Sequence, residues 1–597
     1  MLASFLSLAF SLTMLGLVQA QAQAVNPITD PNVQKYRSRP DLYPSTLYVN
    51  TTGDVTPGYI FMSPYQTYQA GATIYDTDGE VVWFSFGDTL GSNVHDFQVC
   101  QYGGSDHLCF TQGLQYLGYS RGSSTIMDTN LTTVRTVQSL NGLSPLDQHE
   151  FNIVGNSSLI IVYHPERYDL SAFNVTTGEG WIMNTIFQDI SLETGELLFE
   201  WSPIDHVALT EGYVLPNTTE VVGTALSATS PWDYFHMNSV DKDGDGNYLI
   251  SARHTNTLYK INGSDGSVIW RCGGRQSDFE FLNGLNWSSQ HDARWLYQNE
   301  STEVISLFDN ASNGFQVTAD RSAGYIVQIN KNAQPPNVEL LRSYPAPDGQ
   351  VISSSQGSLQ ILNPDDYLNS NVFIGWGSQP IVTEHDKNGN VLYRANVALT
   401  GPMNYRVRFS NITLTPQDSP ALYTYAQNTN GADTVFYMSW NGCTECQSWN
   451  IYGRDSCSAD WILLGNAPKT GFETNYTASG YQEFGMVEAV DGSGNGLRNS
   501  SARGVKAFTP SQGLSTSCNG DSCQPAYEYI PAAAQVTIAE TRSACAALPV
   551  ETSSVSDQSS SSSSGGGSGN SGAMTRPAMV SIACIGLVST FLLVAVL

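Results

Sequence analysis

The chain is short of charge, and the charge it has is lopsided. Charged residues fill 13% of 597 positions, and 26 Lys and Arg stand against 54 Asp and Glu, a formal net charge of −28 with no basic patch or arm. Without a cationic face nothing neutralises a phosphate backbone, so nucleic acid is excluded as a partner. Long amphipathic helical patterns are nearly missing, which excludes a helical bundle or a doubly wound sheet. Cys443-x-x-Cys446 lacks a second ligand pair at zinc spacing, so with Cys457 it reads as disulfide chemistry. What the chain has instead is Gly (53), Tyr (30) and Asn-rich turns between short alternating runs, the composition of an all-β protein whose 41% apolar residues suffice for large cores.

The two ends differ from the body. MLASFLSLAFSLTMLGLVQA closes on a small-x-small pattern at Val18-Gln19-Ala20 and reads as a secretory signal peptide over 1–20, although no Lys or Arg precedes it. Twelve Asn-x-Ser/Thr sites from Asn50 to Asn499 suit a glycosylating pathway and a eukaryotic source. A Ser/Gly-rich linker over 551–573 leads to a hydrophobic C-terminal tail, 574–597, read as a GPI signal, with a plain transmembrane anchor as the alternative. The body is then extracellular, held at the cell surface by membrane or wall. In that oxidising setting Cys100 with Cys109 and Cys518 with Cys523 are the natural local disulfides, and Cys272 is the thiol left over.

Internal periodicity reveals a two-part unit along 95–453. The first part is a hairpin that opens on a polar residue and returns on an apolar strand. Six are countable, opening at His95 (HDFQVCQYGGSDHLCFTQ), His149 (HEFNIVGNSSLIIVYHP), His236 (HMNSVDKDGDGNYLISAR), His291 (HDARWLYQNESTEVISLFDN), Gln356 (QGSLQILNPDDYLNSNVFIGWG) and Tyr405 (YRVRFSNITLTPQDSPALYTYA). The second is a shorter hairpin, as in ATIYDTDGEVVWF, QDISLETGELLFEW, YKINGSDGSVIWRCG and TEHDKNGNVLYRA, suited to outer strands. Four strands per unit predict a six-bladed β-propeller over 45–550, its last blade completed by pieces such as FGMVEAV and AAQVTIAET within 460–550.

In such a wheel the first strand of each blade lines the channel, so residues that open equivalent strands form a ring at one mouth. His95, His149, His236 and His291 open four of the six, out of nine histidines in all. With Asp241–Gly246 as the turn, His236 faces Ser251, so His236, Asn238, Ser251 and Arg253 project together and His254 points away. A neutral imidazole is a nucleophile or base near pH 7, and a guanidinium offers paired donors to sulfuryl or phosphoryl oxygens. The pattern points to a channel mouth that handles an oxyanion. Asp241, Asp243 and Asp245 alternate as in the first half of a calcium loop, with Ala252 where a bidentate Glu belongs. A tight turn wants the same residues, so calcium is the alternative to a plain turn.

DYFHMNSVDKDGDGNYLISARHTNTLYKI (233–261), QHDARW (290–295) and GWGSQP (375–380) resemble the arylsulfotransferase (ASST-type) family, in particular its fungal branch, over about residues 45–460. The resemblance implies a six-bladed propeller that moves a sulfuryl group from a phenolic sulfate ester to another phenol through a sulfated histidine, with no nucleotide donor and no required cofactor. It makes His291 the nucleophile, His236 and Arg253 the stabilisers of the sulfuryl oxygens, Asn238 a supporting donor on the substrate side, and His149 the general acid or base. His95 carries no clear role from the resemblance and is read between substrate contact and channel lining. Cys272 departs from the apolar residue expected after Trp-Arg, and the N-terminal β domain of bacterial relatives is short or missing, which leaves the substrate open. Two rival readings remain. One is a non-catalytic anchored binding propeller whose histidines hold a metal or line a pocket; the other is a quinoprotein-like oxidoreductase, for which no vicinal cysteine pair or acidic cofactor floor is present.

Overall fold

Leu159 to Tyr163, LIIVY, is apolar at every position because its strand is covered on both faces. The computed structural model of the chain describes residues 29–509 except 90–92, 176–177, 219–221, 348–350 and 399–400. Within it Leu159 and Ile161 enter one apolar core while Ile160 and Val162 enter another. The expected signal, linker and tail, and Cys518 with Cys523, lie outside the described residues.

The described chain is all-β, in small and mainly antiparallel sheets that are each open-edged. Six of these follow one another. Sheet one joins Arg408–Ser410 to Tyr59–Met62, Thr73–Asp76 and Val81–Phe84, and sheet two runs Asn93–Tyr102, Ser105–Gln115, Ser120–Met127, Thr133–Val137. Sheet three runs Phe151–Val154, Ser157–Asp169, Glu179–Ser191, Leu197–Trp201, and sheet four Met237–Lys242, Tyr248–Ala252, Thr257–Ile261, Val268–Gly273. Sheet five runs His291–Gln298, Thr302–Asp309, Ala323–Asn330, Asn337–Pro345, with Glu280–Phe281 added in parallel. Sheet six runs Ser358–Ile361, Val372–Gly375, Ile381–His385, Val391–Val397, and takes Leu47–Thr51 on its outer edge. The shorter hairpins of the repeat are the outer strands of sheets one, three, four and six.

Apolar clusters fill the spaces between successive sheets. Trp83 and Phe97 join one to two, Ile126 and Phe151 two to three, and Trp201 and Tyr248 three to four. Trp270 and Ile305 join four to five, Phe308 and Ile374 five to six, and Tyr393 and Phe84 join six back to one. Each large side chain fully buried there contributes about 1.5–3 kcal/mol.

The innermost strands are also stapled to one another. Each has an edge with no ladder partner in its own sheet, so its amides need acceptors from elsewhere. Asp96 Oδ2 accepts the amide of Phe151 (3.0 Å), Glu150 Oε2 that of Val240 (2.9 Å) and Ser239 Oγ that of Ala293 (3.1 Å). Asp292 Oδ2 accepts that of Leu359 (3.2 Å), and Ser358 Oγ that of Val407 (3.1 Å).

The hairpin expected from Tyr405 does not form. Pro416 and Pro420, with no turn glycine between the strands, keep the chain from folding straight back, and Arg408–Ser410 pairs with Tyr59–Met62 instead. Among the described residues the N-terminal strands, not 460–509, therefore complete that sheet, and AAQVTIAET lies outside the described residues. Ala421–Ala426 pairs with Thr434–Ser439 in a separate three-stranded sheet, and FGMVEAV is Phe484–Val490, paired with Ser448–Arg454 in another. Their shared core of Trp440, Trp449, Ile451 and Val487 encloses Cys443 and Cys446. These two were expected in disulfides but are free thiols that hydrogen-bond each other, whereas Cys457 is disulfide-bonded. Cys100 and Cys109 form the hairpin disulfide, and Cys272 is a free buried thiol.

Candidate active site

Three inner strands open with a residue in the left-handed region: Asp96 (φ 52°), His236 (φ 55°) and Asp292 (φ 54°). Pairing slips there, between His95 and Gln98, Met237 and Ser239, and His291 and Arg294. A bulge of this kind breaks strict alternation, so sequence neighbours can serve two different places. His95 and Asp96, like His291 and Asp292, divide in this way, and so do His149 and Glu150. The histidine joins one cluster and the acid joins another.

The acids meet arginines. Arg406 contacts Asp96 Oδ1 and Glu150 Oε1 at 2.9 Å, and Arg408 grips both oxygens of Asp292 at 2.8 Å. Arg294 contacts Glu150 and Asp292 at 2.9 Å, so it belongs here and not with the histidines. Burial would raise the Asp292 carboxyl, but Arg408, Arg406 and Arg294 outweigh it and hold the group below its ordinary range. The result is a charge-balanced floor.

Tyr405, the residue before Arg406, stands among the histidines. Its ring centroid is 5.3 Å from His149, 6.0 Å from His95 and 6.4 Å from His291. His236 lies 4.9 Å from His149 and 4.6 Å from His254. Imidazoles opening four different sheets thus converge around one buried tyrosine.

Their partners fix what each ring can do. His291 Nδ1 faces Asn310 Oδ1 at 2.7 Å and the Ser289 carbonyl at 2.9 Å, both acceptors, so Nδ1 carries the proton and Nε2 the lone pair. Nε2 receives only the long amide bond of Gln356, at 3.2 Å. Burial, then the Arg253 charge, keeps His291 well below the ordinary histidine pKa and hence neutral. His236 Nδ1 meets the Asp233 carboxylate at 2.5 Å, and burial followed by the nearby His149 lowers its pKa too. His149 Nδ1 meets the buried carboxylate of Asp147. His95 Nε2 is held by Gln115 at 2.9 Å, and burial lowers that ring to about 4.

The hairpin that follows His236 corrects its expected register. The turn is tighter than Asp241–Gly246, and Ser239 faces Ser251, so Ser251 is not beside His236. Arg253 is: its amide donates to the His236 carbonyl at 2.9 Å. His254, expected to point away, joins the site. Its Nδ1 donates to the Asp233 carbonyl (2.6 Å) and its Nε2 accepts from Arg253 Nη1 (2.7 Å), so it orients the guanidinium, which also reaches the Ser354 carbonyl at 3.0 Å. A narrow crevice of about 20 Å³ lined by Tyr213, Arg253, His254, Asn313 and Gln316 adjoins this pair. Asn238 gives its amide donor to the Gln290 carbonyl, 2.7 Å away, and its buried Oδ1 has no partner among the described residues. Among the carboxylates weighed for calcium, Asp241 accepts the Trp295 amide, Asp243 caps its own turn and pairs with Lys260, and Asp245 meets Gln298.

Four contributors escaped the sequence reading: Asp147, Asp233, Asn310 and Tyr405. Tyr405 opens the sixth unit and was visible as such. Asn310 was hidden as one of the twelve glycosylation motifs, yet it is fully buried against His291, so a glycan on it is incompatible with this fold. Asn310→Ala leaves Nδ1 the Ser289 carbonyl alone.

The site is a polar, histidine-centred one, set in an all-β scaffold beside a guanidinium. The chain belongs to the arylsulfotransferase (ASST) family, which it matches over residues 98–398. No curated protein matches it. Among solved structures it is similar to a protein of unknown function from Bacteroides caccae (12% identity, 59% of this chain and 98% of that one, TM-score 0.32). It is also similar to Kuenenia stuttgartiensis hydrazine synthase (12%, 57% and 79%, TM-score 0.28) and to the GH43 BlXynB protein from Bacillus licheniformis (9%, 68% and 89%, TM-score 0.26).

Proposed function

We propose that this chain is an arylsulfotransferase that moves a sulfuryl group between phenols by way of His291, without a nucleotide donor. The observation that carries the reading is the state of His291: Nδ1–H is tied to neutral acceptors, and an unprotonated Nε2 stands in the field of Arg253. Nε2 attacks sulfur, the S–O bond to the aryl group breaks, and the phenolate leaves with a proton from the His149–Asp147 dyad. An acceptor phenol then gives its proton to that dyad while its oxygen takes the sulfuryl group, which frees His291. Arg253 holds the sulfuryl oxygens, and a cation about 4 Å from an anion contributes around 4 kcal/mol at an effective dielectric near 20; neutral His236, with Nδ1–H on Asp233, presents a lone pair at Nε2 and so is not the donor expected there. The scaffold belongs to the same reading: six successive sheets, and a cluster joining sheet six to sheet one, support a six-bladed propeller. A surface-anchored, extracellular glycoprotein is the setting that the two ends of the sequence favour.

Asp233, His236 and His254 favour a second reading, a metal-holding binding propeller, since their ligand atoms lie within 4.8 Å of one another. Arg253 weighs against it, because its Nη1–H occupies the Nε2 lone pair of His254 and adds a positive charge.

The test is transfer from p-nitrophenyl sulfate to an added phenol, with a burst of p-nitrophenolate when no acceptor is present. No burst and no transfer at any pH would remove the proposal. The pH dependence is also specified. An ordinary histidine is about 90% protonated at pH 5.5, whereas His291 and His236 titrate well below 6.5. The burst rate constant is therefore expected to hold nearly level from pH 7 down to 5.5. A fall with a midpoint near 6.5 would show that the nucleophile is not a buried ring.

A further inference from the structure

Tyr116, Tyr119, Tyr163 and His149 form one run of near-parallel rings. Tyr116 lies 5.1 Å from Tyr119 at 8°, Tyr119 lies 6.0 Å from Tyr163 at 3°, and Tyr163 lies 5.0 Å from His149 at 18°. The inner end is buried with the histidines, and the outer ring, Tyr116, is 43% exposed. Both outer rings sit at the tip of the hairpin between Ser105–Gln115 and Ser120–Met127. Two residues tie that tip to the site. Gln115 meets His95 with its Oε1 and donates to the carbonyls of Tyr116 and Tyr119, and the Ser120 amide donates to Asp147, the partner of His149.

Arg121 stands over the two tip rings, 5.7 and 5.8 Å from their centroids. It has no carboxylate partner among the described residues, and its Nε is buried without an acceptor. Leu114 and Leu117 beside it are also exposed. An unmatched guanidinium among exposed aromatic and aliphatic surface, on a chain of net charge −28, calls for a ligand with a flat apolar ring and a negative charge. An aryl sulfate monoester carries both on one molecule.

We propose that Tyr116, Tyr119 and Arg121 form a subsite for planar aryl sulfate esters, at the outer end of the ring stack that begins at His149. The rings receive the aryl face and the guanidinium the sulfate as the ester arrives, before it moves inward to Arg253 and His291. This rests on the sulfuryl-transfer reading and extends it to the residues that choose the donor. Arg121 also supplies a local attraction that the net charge of the chain opposes at long range, since screening confines that repulsion to roughly 8 Å at physiological salt.

The experiment measures binding of p-nitrophenyl sulfate and hexyl sulfate by calorimetry in the His291→Ala protein, which is unable to turn the ester over. Tyr116→Ala in that background is expected to weaken the aryl ester about 3- to 10-fold and leave hexyl sulfate unchanged. Arg121→Gln is expected to weaken both esters about 3-fold, an effect that shrinks at high salt, and to leave neutral phenol unchanged. In the turnover-competent protein Tyr116→Ala then raises KM for the aryl donor with kcat nearly constant. Equal losses for the aryl and alkyl esters, or none, would overturn the subsite and leave the rings as hairpin packing. Transfer by the unsubstituted protein separates the two proposals. A protein that transfers but shows no aryl preference at Tyr116 loses the subsite alone, and one that shows the preference without transfer loses the reaction alone.

Discussion

His291→Ala is expected to bring aryl-sulfate turnover down by at least about 1,000-fold while the protein stays folded. The neighbouring imidazoles are poor substitutes for physical reasons. Nε2 of His254 is occupied by Arg253, and Nε2 of His95 by Gln115. His149 places a carboxylate on Nδ1, which suits a ring that takes up and returns a proton, and the Nδ1 of His236 is turned to Asp233, whereas His291 has only neutral acceptors there and stays a free base. His149→Ala should therefore behave differently. It keeps a burst with p-nitrophenyl sulfate, whose leaving group needs little help, and loses about 100-fold or more with unsubstituted phenyl sulfate. Both variants are read by burst amplitude and rate against each donor. Phenolate release that persists in His291→Ala would take the nucleophile assignment away.

Arg406→Met is expected to cost about 3–5 kcal/mol of stability, enough to show as a large drop in the denaturant midpoint. The guanidinium is fully buried and touches Asp96 and Glu150 at 2.9 Å, so its loss strands two carboxylates away from water. Its Nη2 also donates to the Asn238 carbonyl at 2.7 Å, which ties the floor to the strand that follows His236. Arg167→Ala is the control. That residue pairs with Glu179 at 3.4 Å on the surface, with both side chains mostly exposed, and its removal should be nearly silent. A change in Arg406→Met no larger than in the control would mean that the floor is not held by its charges.

How much of this could be read beforehand depended on whether a feature was periodic. The inner and outer hairpins repeat, and their histidines open equivalent strands, so the ring positions of His95, His149, His236 and His291 were legible from spacing. The acids that follow three of those histidines were equally visible, but strict alternation sends them to the opposite face without saying what waits there. Left-handed residues at Asp96, His236 and Asp292 break the alternation, and that conformation is not encoded by glycine at any of the three. The same bulge misled the pairing of His236 with Ser251 and concealed His254. Asp147 and Asp233 stand two and three residues before the histidines they meet, and Asn310 stands 19 after His291, so the offsets share no period to find. The placement of Arg408–Ser410 against Tyr59–Met62 was hidden for another reason: the partners are far apart along the chain, and the local hairpin was the nearer guess.

That distant pairing has a consequence during synthesis. Strands Tyr59–Met62, Thr73–Asp76 and Val81–Phe84 emerge early, but the fourth member of their sheet, Arg408–Ser410, is more than 300 residues behind. At about 5–20 residues per second the ribosome leaves the early strands waiting for roughly 15 s to a minute. Through that interval Tyr59–Met62 offers a bare edge to any other nascent strand. The chain therefore depends on chaperone cover at its beginning until its middle has been made, and a circular permutant that starts after Phe84 and carries these strands at its far end would shorten the exposure.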